Sequence, residues 1–188
     1  ARVRASMRAL YHGVVKATLA LPWVVMVLAG CAAQRAQGPL EISLGLTPTE
    51  TARAVRAYDF CRRGDAAADG DGRREIFPQC GRPGVVYGDA WVVAHYDGGR
   101  VVRLQRFERW DDPARATARW NELIEKRAAS GPATSAARDR VFARQGIPDG
   151  TKAWVAFERP AELIGLYLLA TTDATSPAIL EEIVPLTP

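Results

Sequence analysis

The tripeptide Asp97-Gly98-Gly99 joins two apolar runs, residues 85–96 and 100–109, and constrains the fold more than any other stretch. Asp-Gly accepts the positive φ of a tight turn between antiparallel strands, so the two runs are expected as a hairpin. A second pair of runs, 151–158 and 162–171, closes through Arg159-Pro160-Ala161 and is entered from a turn at Pro148-Asp149-Gly150. Run 162–171, ELIGLYLLAT, is apolar on both faces. It calls for a central position, with both faces covered or one face in a protein interface. The run VVRLQRFERW exposes arginines by alternation and reads as an outer strand. Strict alternation sets Leu104 and Phe107 on opposite faces, so a bulge is expected near Gln105.

Helix signals fall between these runs. Thr47-Pro48-Thr49-Glu50 fits a capping box with proline at the first helical position, predicting a helix to about Arg62 that buries Ala52, Val55 and Tyr58. A short strand, EISLGL (41–46), precedes it. Asp111-Asp112-Pro113 caps a helix running to about Ala129, with Ala116, Trp120, Leu123 and Ile124 as its apolar stripe. Past the GPATS linker, a short helix over 135–145 stops at Gly146, and a last helix over 177–184 ends near Pro185. Ala90-Trp91-Val92 and Ala153-Trp154-Val155 each open a strand–turn–strand followed by a proline, Pro113 or Pro177. Trp-to-Pro separations of 22 and 23 residues suggest a duplicated ββα unit. The expected fold class is α+β, an antiparallel sheet of about four to five strands from two ββα units, with helices packed on the sheet.

The chain has 188 residues, room for one ordinary domain. Its formal charge of +4 is unevenly placed. Removing Arg2, Arg4, Arg8 and Lys16 leaves 21 basic residues against 21 acidic ones. The remainder has no surplus charge to attract phosphate backbones, which argues against nucleic acid as a partner. Behind the basic start, residues 17–30 read ATLALPWVVMVLAG without a charge. That is too short to span a bilayer comfortably, at roughly 20 apolar residues, and suits the apolar core of a secretory signal.

The run ends in Leu28-Ala29-Gly30-Cys31, which resembles the lipobox of bacterial lipoproteins. The resemblance covers the leader alone. It implies that a diacylglyceryl group is attached to the Cys31 thiol, that residues 1–30 are removed, and that the new amino terminus is acylated by a chain such as palmitate. Two or three acyl chains give durable membrane anchoring where one binds marginally. Residues 31–46 then form a lipidated tether and 47–188 a single α+β domain. Ala32 is not the aspartate that favours inner-membrane retention in that family, which points to an outer-membrane destination facing the periplasm in a two-membrane host. An uncleaved N-terminal anchor or a plain signal cut elsewhere are the other readings of the leader.

Export would set an oxidising context, in which Cys61 and Cys80 are expected to form a disulfide rather than remain two thiols. The bridge closes a polar, glycine-rich loop of 18 residues and contributes roughly 3 kcal/mol on the chain-entropy model. Within that loop Asp69, Asp71 and Gly72 resemble a calcium loop, but the ligands at the first and twelfth positions are missing. Arg63-Gly64-Asp65 is a product of the loop's composition.

Little in the remaining chain points to catalysis. His95 is the one histidine behind the leader, in phase with Trp91 and Val93 on a strand, where a hydrogen-bonded core or cleft role is expected. One histidine and a cysteine pair make a zinc site improbable, and no Gly-x-Ser-x-Gly turn accompanies His95. Asp111-Asp112 is accounted for by capping and Glu181-Glu182 by a solvated helix end. Neither a metal nor a cofactor is expected. Trp91, Trp120 and Trp154 read as core, while Trp110 beside Arg106 and Arg109, with His95, is the candidate binding set. The expectation is a lipid-anchored cell-envelope protein of binding type, held at the membrane through its lipid and meeting an envelope protein or other envelope component. A small-molecule sensor or carrier with a pocket between sheet and helices, or a hydrolase using His95, are the alternatives.

Overall fold

The computed structural model describes residues 38–62, 67–69, 72–80, 90–170 and 176–187. Cys31 with the leader, Arg63-Gly64-Asp65, residues 81–89 and residues 171–175 lie outside the described residues. The described chain forms seven strands, β1 (Ala67–Asp69), β2 (Gly72–Pro78), β3 (Ala90–Asp97), β4 (Arg100–Arg109), β5 (Thr151–Arg159), β6 (Glu162–Leu169) and β7 (Ala178–Pro185). Three helices accompany them, α1 (Pro48–Arg56), α2 (Pro113–Ala128) and α3 (Ser135–Gln145). The strands make one antiparallel sheet in the order β1-β2-β3-β4-β7-β6-β5. Two meanders, β2-β3-β4 and β5-β6-β7, thus meet through their last strands.

The class is α+β, but the sheet exceeds the expected four to five strands and the ββα duplication does not hold. Pro113 opens a helix, as Asp112 Oδ1 accepts from Ala114 N at 2.7 Å. Pro177 instead leads into β7, so the second unit is βββ. Residues 178–185 carry Ile179, Ile183 and Val184, β-branched residues that suit a strand, and pairing on both sides with β4 and β6 overrides the local helix signal. The Trp-to-Pro spacings coincide without a shared structure behind them.

Other expectations shift for similar reasons. β4 is the middle strand of the seven and not an outer one, because buried carboxylates receive its inward arginine. The irregularity in its pairing lies between His95 and Tyr96, opposite Arg103 and Val101, and not near Gln105. Leu104 and Phe107 do lie on opposite faces, and both faces pack. α1 ends at Arg56 rather than Arg62: Asp59 takes φ 66°, and the chain turns to lay Phe60 against Gln79. The Cys61–Cys80 disulfide is formed, and its loop contains β1 and β2, with β2 paired along β3. β6 is an interior strand between β5 and β7, buried along most of its length.

Residues 41–46 are not a strand. Gly38–Leu46 form a strap over the sheet, with Leu40 and Ile42 buried among Val55, Phe60, Phe77, Val92 and Leu104. Its backbone groups are satisfied largely by side chains. Leu40 N donates to Glu181, Glu41 N to Tyr58 Oη at 2.8 Å, and Leu44 N to Glu162 Oε1 at 2.7 Å. Only its end joins a strand backbone, where Gly45 N donates to Val101 O and Val101 N to Leu46 O. The domain therefore begins at or before residue 38, and the expected tether is shorter by its last nine residues.

Helices and the strap pack on one face of the sheet, and α3 covers part of the other. The strap, α1 and α2 lie on the first, where Val55, Leu123 and Ile124 pack near Leu104, Leu166, Ile179 and Ile183. On the other, α3 sets Ala137 and Val141 against Ala156, Leu163, Tyr167 and Leu180. Covering both faces of β6 and β7 explains why neither shows a polar alternation.

Candidate functional site

Alternation along β4 sends its charged residues to both faces. Arg106 and Glu108 point under the strap and α2, where they join a chain of ten ionised side chains of alternating sign. Starting at the surface, Lys126 pairs with Glu122, Glu122 with Arg119 at 2.9 Å, Arg119 with Glu108 at 3.0 Å and Glu108 with Arg106 at 3.5 Å. Arg106 Nη2 lies 2.9 Å from Glu181, which also binds Arg127. Arg127 continues to Glu41 at 2.9 Å, Glu41 to Arg159 and Arg159 to Glu162 at 2.7 Å. Glu181, Arg106 and Arg127 are each at most 2% exposed. Burial alone would raise the Glu181 carboxyl, but the two guanidinium groups and the Leu40 N–H hold it below the usual carboxylate range. Arg106 donates to Gly38 O at 2.6 Å and Arg127 to Leu40 O at 2.8 Å, so the buried charges also fasten the strap.

The other face differs. There α3 packs on β5 and β6, and Gln145 at its end reaches Tyr167 Oη at 3.2 Å and Glu182 at 2.5 Å. Gly165 makes room for this, since a side chain there would overlap the Tyr167 ring. Burial pushes the Tyr167 hydroxyl up to about 12, so it stays protonated. Beyond Gln145, on β2, β3 and β4, cross-strand neighbours form rows. Arg74, His95 and Arg103 make one, Ile76, Val93 and Gln105 the next, and Pro78, Trp91 and Phe107 the third. Trp91 and Phe107 stack with ring centroids 5.1 Å apart, and Arg109 lies 5.9 Å over Trp91. Ile76, Trp91, His95, Arg103, Gln105 and Phe107 are half-buried and Arg109 is exposed. Among the described residues no helix packs on this arginine-bordered half of the sheet, the open half.

His95 Nε2 lies 3.1 Å from Gln105 Oε1, and Gln105 Nε2 donates to Glu182 Oε1 at 2.8 Å. Arg103 also pairs with Glu182, which is 1% exposed. Burial, with help from Arg103 and Arg74, lowers the His95 pKa against the opposing Gln105 bond and Glu182 charge. A depressed histidine pKa favours folding above the unfolded value, about 6.5, and that contribution is lost as pH falls through the folded value. Glu181 acts in the same direction at lower pH, above and then below the ordinary carboxylate value of about 4.3. Urea midpoints measured from pH 8 downward are therefore expected to decline in two stages. His95→Gln should remove the first stage and keep the second; a midpoint constant from pH 8 to about 5 would contradict the His95 assignment, and one constant from about pH 5 to about 2 the Glu181 assignment.

The candidate binding set is not gathered in one place. His95 and Arg109 lie on the open face. Arg106 is buried on the opposite one, and Trp110 packs with Trp120, Leu123 and Ile179, with Arg115 5.4 Å over its ring. Glu181 and Glu182, read as a solvated helix end, are instead both buried, one on each face. Arg74, Arg103, Gln105 and the Trp91–Phe107 pair were not singled out by sequence. Their two-residue period on β4 is a signal that becomes readable only once both sheet faces are known to be used. Trp154 is flanked by Tyr167 at 5.8 Å and by the Arg138 guanidinium at 4.7 Å. A groove of about 430 Å³ between Pro132, Glu158, Pro160 and Leu186 is shallow and open. Among the described residues no group of three His, Cys, Asp or Glu side chains could hold a metal, and no helix is long and apolar enough to cross a membrane. Comparisons with protein-family models, with curated proteins and with solved structures found no match.

Proposed function

We propose that the chain is a lipid-anchored cell-envelope protein that works by binding, through the open half of its sheet, an envelope protein or other envelope component. The observation that carries the binding half is the arginine-bordered face on β2–β4, beside a half already covered by α3. His95 there engages an amide rather than a carboxylate, and Glu182 is committed to Arg103, Gln105 and Gln145. That arrangement suits holding a ligand better than activating a nucleophile, which would want a base oriented by a carboxylate. The lipobox Leu28-Ala29-Gly30-Cys31 supports the anchor, and the Cys61–Cys80 bridge suits an oxidising compartment such as the periplasm.

The strap gives the anchor a physical consequence. Six residues, 32–37, separate Cys31 from Gly38. Fully extended they reach about 25 Å, so the domain stays close to the membrane surface. Expression in a two-membrane bacterium followed by intact-mass analysis of the membrane fraction tests the anchor. The expected species lacks residues 1–30 and carries added acyl mass, and Cys31→Ser abolishes both changes. A wild-type chain that keeps residues 1–30, or is cut without acyl gain, would contradict the anchor.

A further inference from the structure

α3 is lightly held for a helix that covers a sheet. It buries two side chains, Ala137 and Val141, against Ala156, Leu163, Tyr167 and Leu180. α2 on the opposite face instead sinks Leu123 together with the guanidinium groups of Arg119 and Arg127. Phe142 of α3 is 58% exposed and Ile147 just past it 39%, two of the three large apolar side chains that stand exposed among the described residues. The helix therefore leaves its largest apolar group unused in this seat. Its polar fastenings to the sheet lie mainly at its two ends. Thr134 N donates to Ala156 O at 3.3 Å at the start, and at the finish Gln145 Nε2 donates to Tyr167 Oη at 3.2 Å and to Glu182 at 2.5 Å. Between them, Arg138 lies over the Trp154 ring and Arg140 pairs with Glu158 at the surface. Gly131 precedes the segment and Gly146, at φ 72°, ends it, so both joints can change conformation without a side chain opposing them.

We propose that α3 is a hinged lid, which lifts from the sheet at Gly131 and Gly146 while the sheet stays folded, and that Glu182 is its latch. The lid does not depend on the open half being a binding surface. Eleven residues are too few to keep a helix in water without packing, so α3 unwinds as it lifts. Lifting uncovers Ala156, Leu163, Tyr167 and Leu180. Phe107 packs against that cluster and stacks on Trp91, so it joins the uncovered strip to the open half. The lid thus sets how much of this sheet face meets solvent. Its latch is shared: Glu182 accepts from Gln145 and also from Gln105 and Arg103 on β4. These donors draw on one negative charge, so when one leaves, the bonds of those that remain strengthen. Drawing Arg103 away from Glu182 therefore closes the lid more tightly, and a lifted lid ties Arg103 more firmly to Glu182.

Native-state hydrogen exchange of the full chain in nonionic detergent, at neutral pH and from zero to low urea, tests both parts. The amides of residues 139–145 are expected to share one protection factor, about a hundredfold below those of β6 beneath them and insensitive to low urea, the mark of a local opening. Gln145→Ala should lower α3 protection about tenfold, the loss of one charge-assisted hydrogen bond, and leave β3 and β6 unchanged. Arg103→Met should raise α3 protection severalfold, because Glu182 then leans on its amide donors. A variant that merely loosens the fold would lower it, so the sign separates a latch from a structural role. Protection on α3 equal to that on β6 with the same steep urea dependence, or a gradient that falls toward the helix ends as fraying gives, overturns the lid. No change in Gln145→Ala, or lower α3 protection in Arg103→Met, overturns the latch. Either failure leaves the binding reading of the open half untouched.

Discussion

Glu181→Ala lowers the unfolding free energy by about 3–5 kcal/mol, the cost of leaving buried charges without their partner. Removing that carboxylate leaves Arg106 with the 3.5 Å contact to Glu108 as its one remaining acid among the described residues, beside its bond to Gly38 O, and strips Arg127 of one of its two acids. It also leaves Leu40 N–H without an acceptor beneath the strap. Urea denaturation gives the magnitude, and hydrogen exchange at the Leu40 and Leu44 amides shows whether the strap loosens first. The mechanism makes a second demand. Glu181→Ala combined with Arg106→Met should be less destabilised than Glu181→Ala alone, because one unpaired guanidinium is gone while its volume remains filled. If the double variant is worse than the single one, the loss came from packing rather than from uncompensated charge.

Cys61→Ala with Cys80→Ala is expected to cost about 3 kcal/mol by releasing the closed loop in the unfolded chain. The folded chain keeps part of the neck, because Cys61 N donates to Pro78 O at 2.9 Å and Cys80 N to Asp59 O at 2.8 Å. The damage should therefore appear as a lower denaturation midpoint, with faster exchange along β2 and little change at β6 and β7. Wild type treated with a reductant should move to the same midpoint. A variant within a few tenths of a kcal/mol of wild type would show that β2 holds to β3 through its own pairing, Phe77 included.

Where the signal was local, the sequence was legible. Asp97-Gly98-Gly99 gave the first hairpin, Arg159-Pro160-Ala161 the second, and Gly146 the end of α3. The cysteine pair followed from the context that the lipobox resemblance implied. What escaped depended on partners far along the chain. Glu181-Glu182 behind a proline has the local look of a helix end, and only β4 and β6 on either side make it a strand. The arginines of β4 suggested an edge because a buried arginine is rare, and its acids, Glu181 on β7 and Glu108 on the same strand, could not be assigned to it from periodicity. The strap was missed for a related reason: most of its backbone partners are side chains, which leave no period in the sequence. Of the candidate site, His95 and Arg109 were visible. Arg74 became relevant only when β2 was found paired to β3 inside what had read as a polar, glycine-rich loop.

The central claim, that the anchored domain binds through its open half-sheet, is tested most directly by photo-crosslinking in intact cells. A photoreactive residue replaces Ile76, half-buried on the open face, and in a second chain replaces Asn121, exposed on α2 at the opposite side. The account predicts a discrete light-dependent adduct from position 76 that is lost with Cys31→Ser and is not formed from position 121. No adduct from position 76, or the same adduct from both positions, would contradict it.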